Sequence, residues 1–132
     1  MSTEARERTW LLKEKYAERP CRGFFRDCER LASGEPLDYV IGFSNFLGCR
    51  IGLSRETLIP RTETEWWTEQ AIGMIRAQVE RGGGSRHEKP LRCLDLCAGS
   101  GCIGIALLCH LAGVVVDFAD IDSGCLREIA KT

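Results

Sequence analysis

The sequence predicts an incomplete α/β fold, in which a short helical segment and a β-hairpin precede the first strands of a parallel sheet. Apolar residues recur at helical spacing over residues 3–33. β-forming residues punctuated by glycines fill residues 39–51. Residues 91–119 follow the pattern strand, glycine turn, helix and strand. The charged fraction of 28% and hydrophobic fraction of 44% fit a globular chain and not a disordered one.

The first part of the chain is predicted to contain two short helices, because Pro20 and Gly23 interrupt the helical spacing of residues 3–33. A short hairpin follows at residues 39–51. The next helix begins near Thr62 or Thr64, either of which could cap it, and runs to about residue 81.

The remaining elements follow a polar linker at residues 82–90. Strands are predicted at residues 91–96 and 114–119, with helices at 102–111 and from about residue 123. We therefore divide the chain into a shortened helical segment (1–36), a part with hairpin, connecting helix and linker (37–90), and the start of an α/β domain (91–132).

Composition and charge narrow the possible partners. The formal net charge of -1 offers no basic excess for non-specific binding of nucleic acid, so nucleic acid is an unlikely partner. No apolar run approaches the roughly 20 residues that span a bilayer, and no signal peptide is visible, so we expect a cytoplasmic protein without a membrane partner. The eight cysteines lack paired C-x2-C spacings, which favours free thiols and no metal site.

A glycine-rich turn and a later acidic residue form the candidate cofactor site. The candidate cofactor-binding residues are Asp95, Cys97, Ala98, Gly99, Ser100, Gly101 and Asp120. Glycines let a backbone approach a cofactor closely, and a carboxylate at the end of the second strand can accept hydrogen bonds from ribose hydroxyls. S-adenosylmethionine is favoured because Asp95 suits a cationic amine better than a pyrophosphate. A nicotinamide cofactor, whose G-x-G-x-x-G fingerprint the loop also matches, and a turn that binds nothing stay open.

Ordered motifs occur at residues 34–42, 46–48, 58–65, 94–101 and 120–122. Together they resemble those of the HemK-type glutamine methyltransferases, which modify peptide-chain release factors. LIPRTETE at residues 58–65 resembles the family signature I-P-R-P-x-T-E, with Thr62 replacing a proline. GEPLDYVIG at 34–42 and FLG at 46–48 resemble the motifs before it. LDLCAGSG at 94–101 resembles L-D-L-G-T-G-S-G, and DID at 120–122 resembles the family's D-I-D or D-I-S.

The resemblance implies a class I S-adenosylmethionine-dependent methyltransferase, Rossmann-like in fold, with a helical segment and a β-hairpin before it. It implies methyl transfer to the side-chain amide of a glutamine in the Gly-Gly-Gln loop of a release factor. By position, residues 97–101 would bind the methionine part of the cofactor and Asp120 its ribose. Arg61, Thr64 and Glu65 would line or brace the mouth of the site, although a helix cap with first-turn charge explains Thr64 and Glu65 equally well.

The sequence departs from the family pattern at the cofactor loop and in the catalytic motif. Cys97 replaces the usual first glycine and Ala98 the usual threonine, which we expect to be tolerated if Cys97 has ordinary β dihedrals. The family's Asn-Pro-Pro-Tyr motif is missing, because the single asparagine, Asn45, precedes Phe46. We assign no catalytic residue and interpret the chain as the front half of such an enzyme, as a fragment, truncated reading frame or shortened isoform, inactive alone.

Two alternative functions remain at this stage. The chain could be a non-catalytic truncated homologue, a binding or regulatory module that docks a partner through the hairpin and the helix of Trp66 and Trp67. These adjacent tryptophans cannot both lie at the centre of one buried helix face, although packing against other elements also explains them. The chain could also be a relative of the adenine-N6 methyltransferases, which share the glycine loop.

Overall fold

The computed structural model describes residues 3–55, 57–81 and 90–132. The chain divides into two compact units, Met1–Phe43 and Ser44–Thr132. The predicted linker lies outside the described residues except for Pro90. Within the described residues, no helix combines the length and the apolarity needed to cross a membrane.

The described residues of the first unit, 3–43, form three helices: α1 (Thr3–Tyr16), α2 (Arg22–Ala32) and α3 (Leu37–Ile41). The two predicted helices are confirmed, and the break between them contains Pro20, whereas Gly23 lies in the first turn of α2 and does not interrupt it. The buried apolar core of this unit consists of Leu11, Phe24, Cys28, Leu31 and Val40.

The third helix corrects the prediction that the hairpin begins at residue 39, because residues 39–41 are helical. Pro36 fixes the backbone at the helix start, with φ of -56°, and needs no hydrogen-bond acceptor there. Gly42 ends the helix with φ of 94°, and its N–H donates to the carbonyl of Asp38 at 2.7 Å. Complete burial of Val40 in the helical core outweighs the β preference of its branched side chain.

The hairpin consists of β1 (Phe43–Phe46) and β2 (Cys49–Gly52). Leu47 and Gly48 connect the strands, and their φ values of 47° and 78° suit the tight turn that matches strand twist. A two-residue connection with positive φ at both positions favours Gly, Asn or Asp, so Leu47 is an unusual occupant.

The long helix α4 spans Thr62–Arg81 and confirms the predicted helix. The predicted cap at Thr62 or Thr64 is wrong. The Glu65 N–H donates to the Arg61 carbonyl at 3.1 Å, which places Arg61 at the cap position and both threonines in the first turn.

The predicted strand, turn, helix and strand are confirmed in the last part of the chain. β3 (Leu91–Leu96) and β4 (Val114–Ala119) are parallel neighbours joined through α5 (Cys102–His110), and α6 (Ser123–Ile129) follows. In the register, Leu91 pairs with Val114 and Leu96 with Ala119, so both strands end at the same edge.

The core of the second unit joins the hairpin to α4 and α5. Its buried members are Phe46, Cys49, Ile51, Ile72, Cys102, Ala106 and Leu107. Cys93 and Val116 pack against this cluster from one face of the parallel pair. Because side chains alternate along a strand, Leu94 and Leu96 point to the opposite face, where they are 62% and 69% exposed.

Candidate functional site

The glycine loop between β3 and α5 has an unusual backbone. Cys97, Gly99 and Gly101 have φ values of 58°, 55° and 72°, all in the left-handed region. Gly101 is also the cap residue of α5. Glycine adopts this conformation without a steric penalty, whereas a residue with a Cβ atom does so at a cost of about 1–2 kcal/mol.

The condition on which a Cβ atom at position 97 would be tolerated, ordinary β dihedrals, is therefore not met. The chain turns sharply where β3 ends, and it does so through the first loop position, which the related motif fills with glycine. The Cys97 side chain is exposed, so its Cβ strains the backbone without gaining buried contacts in exchange.

Three backbone amides hold the loop in place. The Gly99 N–H donates to Asp120 Oδ2 at 2.8 Å, and the Ala98 N–H donates to the Ala119 carbonyl at 3.1 Å. The Gly101 N–H donates to the Ala98 carbonyl at 2.7 Å. Because Ala119 ends β4 and Asp120 follows it, the first two bonds connect the loop to the end of β4 and place the Asp120 carboxylate beside Gly99.

The two acidic residues of the site differ in environment. Asp95 is 9% exposed, and its Oδ2 accepts a hydrogen bond from the Gly104 N–H at 2.9 Å. Burial raises the pKa of Asp95, the Gly104 N–H opposes this effect, and the charge of Asp120 adds to it. Hydrogen bonds from the N–H groups of Gly99 and then Asp122 lower the pKa of Asp120. Backbone hydrogen bonds therefore favour the ionised form of Asp120, whereas burial disfavours the ionised form of Asp95.

The other loop residues differ in how far they are exposed to solvent. Ala98 and Ser100 are buried, at 9% and 5% exposure, while Gly99 is half-buried. The Ser100 hydroxyl hydrogen-bonds the Cys102 thiol, so it is engaged within the protein. A ligand at this edge would meet backbone at residues 99–101 and side chains at residues 97 and 120.

Gly104 is a site residue that the sequence prediction omitted. A Cβ atom there would lie 2.7 Å from Phe118 Cζ and 3.0 Å from Asp95 Oδ2, so only glycine lets α5 approach β4 this closely. The signal was present, because Gly104 is the last glycine of G-x-G-x-x-G, a position linked to close packing of helix and strand.

The three residues predicted at the site mouth lie at the start of α4. Arg61 is exposed, and the Thr64 carbonyl accepts from Thr68 Oγ1 at 2.7 Å. Glu65 Oε1 accepts from the Leu47 N–H at 2.6 Å. Among the described residues, no hydrogen bond or ion pair joins these three to the glycine loop.

The hairpin turn has a second anchor, which the sequence did not reveal. His110 Nε2, at the end of α5, lies at hydrogen-bonding distance, 2.8 Å, from the Leu47 carbonyl. Leu47 thus bonds α4 through its N–H and α5 through its carbonyl. Both contacts use backbone atoms of Leu47, which leave no trace in the residue pattern.

The arrangement suits some ligands better than others. Three loop amides are already used inside the protein, so they cannot cradle a pyrophosphate. Two carboxylates lie at the same edge of the sheet, which favours a cation or a set of hydroxyl groups. A ligand with an amine or sulfonium charge and a ribose matches this chemistry.

Comparison with known proteins finds relatives along most of the chain. It is 28% identical over 120 residues to the release factor glutamine methyltransferase of Borreliella burgdorferi, covering 91% of this chain. It is 36% identical, in an alignment of 138 positions that covers 98% of the chain, to a Schizosaccharomyces pombe protein named "Probable MRF1 mitochondrial N(5)-glutamine methyltransferase mtq1". The release factor glutamine methyltransferase of Agrobacterium fabrum is 36% identical over 103 residues, or 78% of the chain.

The chain spans less than half the length of these curated relatives. It covers 38% of the Borreliella protein, 42% of the Schizosaccharomyces protein and 34% of the Agrobacterium protein. No protein-family model matches the sequence.

Proposed function

We propose, from the premise that this chain is a partial member of the release factor glutamine methyltransferase family, that its glycine loop binds S-adenosylmethionine. By family the chain belongs with methyltransferase enzymes. The observation that carries the proposal is the bond of 2.8 Å from the Gly99 N–H to Asp120 Oδ2, which sets a carboxylate beside the loop.

The cofactor-binding residues would contact two different parts of the ligand. Residues 97–101 would contact the methionine part, and the buried carboxyl group of Asp95 would interact with its ammonium group. Asp120 has a second oxygen, Oδ1, which accepts from the Asp122 N–H at 2.9 Å, so both oxygens are already oriented. A carboxylate fixed in this way can accept hydrogen bonds from ribose hydroxyls without reorganising.

The proposal extends to fold and domains. The parallel β3–α5–β4 unit supports the start of a class I, Rossmann-like methyltransferase domain at residues 91–132. The division into a helical segment at 1–36 and a hairpin, helix and linker part at 37–90 stays a prediction. The cytoplasmic location also stays a prediction.

The substrate proposed from the family is a glutamine in the Gly-Gly-Gln loop of a peptide-chain release factor. We propose that residues 1–132 bind cofactor without catalysing this transfer, because they contain no Asn-Pro sequence. In the related motif, the asparagine and an adjacent carbonyl would hold the amide so that its nitrogen faces the methyl group. Arg61, Thr64 and Glu65 remain candidates on the substrate side.

Calorimetric titration of the chain with S-adenosylmethionine, and separately with NAD, tests the cofactor. We expect binding of S-adenosylmethionine alone, weakened at least about tenfold in Asp120→Ala, as expected when a charged hydrogen-bond partner of the ligand is lost. Asp117→Ala is the matched control, because Asp117 lies on β4 shortly before Asp120 but pairs with Arg92 at an exposed position. Equal affinities of both variants, or binding of NAD instead, would refute the proposal.

A separate experiment tests the proposed lack of methyl transfer. The purified chain, a release factor and labelled S-adenosylmethionine are expected to give no labelled release factor, whereas an intact family enzyme does so under the same conditions. Methyl transfer by the chain alone would overturn this part of the proposal and leave the cofactor site standing.

A non-catalytic binding module is the second candidate, and one observation favours it. Trp66 and Trp67 on α4 are 65% and 57% exposed. Tryptophan is enriched among the residues that contribute most to binding at protein interfaces, so this exposure favours a docking role. A release factor titrated against the chain is expected to bind more weakly to the Trp66→Ala variant if α4 docks it. Exposed Glu69 on the same helix provides the control variant Glu69→Ala.

A further inference from the structure

Two cysteines from different elements of the second unit face each other. Cys49 opens β2, and Cys109 lies in the last turn of α5. The Cys109 thiol is a hydrogen-bond partner of the Cys49 thiol. Cys49 is 7% exposed within the core, whereas Cys109 is exposed. The pair therefore joins a protected sulfur atom to one that a reagent can reach.

The surrounding backbone holds the two thiols together. His110, the neighbour of Cys109, bonds the Leu47 carbonyl through Nε2 at 2.8 Å. The Cys49 thiol donates to the same carbonyl at 3.9 Å. Cys49 also packs in one cluster with Ala106 and Leu107 of α5. The end of α5 and the start of β2 are thus held near a common point, and such proximity is one requirement for a disulfide that forms without backbone movement.

We propose that Cys49 and Cys109 are a redox modification site, which low-molecular-weight disulfides such as oxidised glutathione convert into an intrachain disulfide. The Cys109 thiolate attacks one sulfur of the reagent, whose S–S bond breaks and releases one thiolate. Cys49 then loses its proton to solvent and attacks Cys109 Sγ, which forms the intrachain bond and expels the second thiolate. Two protein thiols are oxidised, and the reagent is reduced to two thiols.

The environments of the two sulfurs assign their roles. Burial, and then the contact with Cys109, raises the pKa of Cys49 to about 11, so Cys49 stays protonated at neutral pH. A buried thiol with this pKa is a poor first nucleophile. Cys109 is therefore modified first and Cys49 resolves it, and the second step accelerates as the pH rises towards the pKa of Cys49.

The disulfide would fasten the hairpin to the helix that follows the glycine loop. Such a bond constrains the unfolded chain between two positions that are distant in sequence, and so raises the melting temperature. In a reducing compartment it would form only transiently, as disulfides of intracellular proteins do when they respond to oxidants. This proposal does not depend on the cofactor that the loop binds.

Peptide mapping of the full chain tests the pairing. The chain is treated with excess oxidised glutathione, its remaining thiols are alkylated, and trypsin digests it without reduction. Residues 31–50 form a tryptic peptide whose single cysteine is Cys49, and residues 93–127 contain Cys109 among five cysteines. We expect a cross-link between these peptides that a dithiol reductant reverses, and a melting temperature at least about 5 °C higher in the oxidised chain.

Two variants identify the partner of Cys49. Cys109→Ser alters an exposed residue and should abolish the cross-link, whereas Cys97→Ser alters another exposed cysteine of the same peptide and should retain it. A cross-link that persists in Cys109→Ser would overturn the proposal, because Cys49 would then pair elsewhere. A wild-type chain that stops at a glutathione adduct on Cys109 would overturn it equally.

Discussion

Gly104 on α5 lies against the ring of Phe118 on β4 with no room for a side chain between them. A Cβ atom at Gly104 would be 2.7 Å from Phe118 Cζ. The same close approach lets the Gly104 N–H reach Asp95 Oδ2 at 2.9 Å. The distance between helix and strand thus determines how the buried carboxylate is held.

Gly104→Ala is expected to lower the free energy of unfolding by about 1–3 kcal/mol, because the added methyl group overpacks a closed contact. Gly73→Ala on α4 is the matched control, since a Cβ atom added at Gly73 would meet nothing within 4 Å. That change should raise stability by about 0.5–1 kcal/mol through helix propensity. Urea denaturation measures both, and a similar effect of the two substitutions would contradict the packing argument.

Cys97→Gly is expected to raise the free energy of unfolding by about 1 kcal/mol, because glycine adopts the φ of 58° without the clash of a Cβ atom. Cys97→Ala removes the thiol and keeps the Cβ atom, so it should leave stability nearly unchanged. If S-adenosylmethionine binds as proposed, Cys97→Gly should also bind it more tightly. Equal stability of the glycine and alanine variants would show that strain at this position is negligible.

Glu65→Ala is expected to lower the free energy of unfolding by about 1–2 kcal/mol, because it leaves the half-buried N–H of Leu47 without its carboxylate partner. Glu63→Ala removes a negative charge from the same first turn of α4, where the side chain is exposed. It should change stability by less than about 0.5 kcal/mol. Chemical denaturation of the two variants separates the hydrogen bond from the helix dipole, and matching losses would assign the effect to charge alone.

Alkaline pH is expected to destabilise the first unit through Tyr16. Its hydroxyl donates to the buried Asp27 Oδ2 at 2.7 Å, and burial, followed by the bond to Asp27, raises its pKa from 10.0 to about 12. The folded state therefore binds the phenolic proton more tightly than the unfolded state. This contribution is complete below pH 10 and disappears as the pH rises to about 12.

The variant Tyr16→Phe isolates that contribution. It should be less stable than wild type at neutral pH and lose less stability over the alkaline interval, as circular dichroism at several pH values can measure. Tyr39→Phe, a control that leaves the bond from Tyr16 to Asp27 in place, should retain the part of the alkaline loss that comes from Tyr16.

The sequence predicted helices and strands well where a long hydrophobic pattern ended at glycine, proline or other turn-forming residues. The helix of residues 62–81 and the strands of residues 91–96 and 114–119 have such patterns, and their bounds agree with the structure. Residues 37–41 were misassigned because Val40 and Ile41 favour strands when considered locally. Their helix depends on burial against α1 and α2, which involves residues distant in sequence.

Part of the candidate site was also predictable from the sequence. The position of Asp120 beside the loop follows from two parallel strands that end at one edge. The φ of Cys97 was not predictable from its residue type, since cysteine ordinarily avoids this conformation. The anchoring of Leu47 by Glu65 and His110 was also invisible, because two of its participating groups are backbone atoms.

The exposed face of the parallel strands β3 and β4 favours association between copies of the chain in solution. Leu94 and Leu96 present apolar surface there, and in the described part of the chain β3 and β4 each have one strand neighbour only. Unpaired edges beside exposed leucines are templates for strand-to-strand association between copies. We expect the apparent molar mass from light scattering to grow with protein concentration, and to grow less in Leu96→Lys. Unfolding should therefore be measured in dilute samples, where the transition no longer depends on concentration.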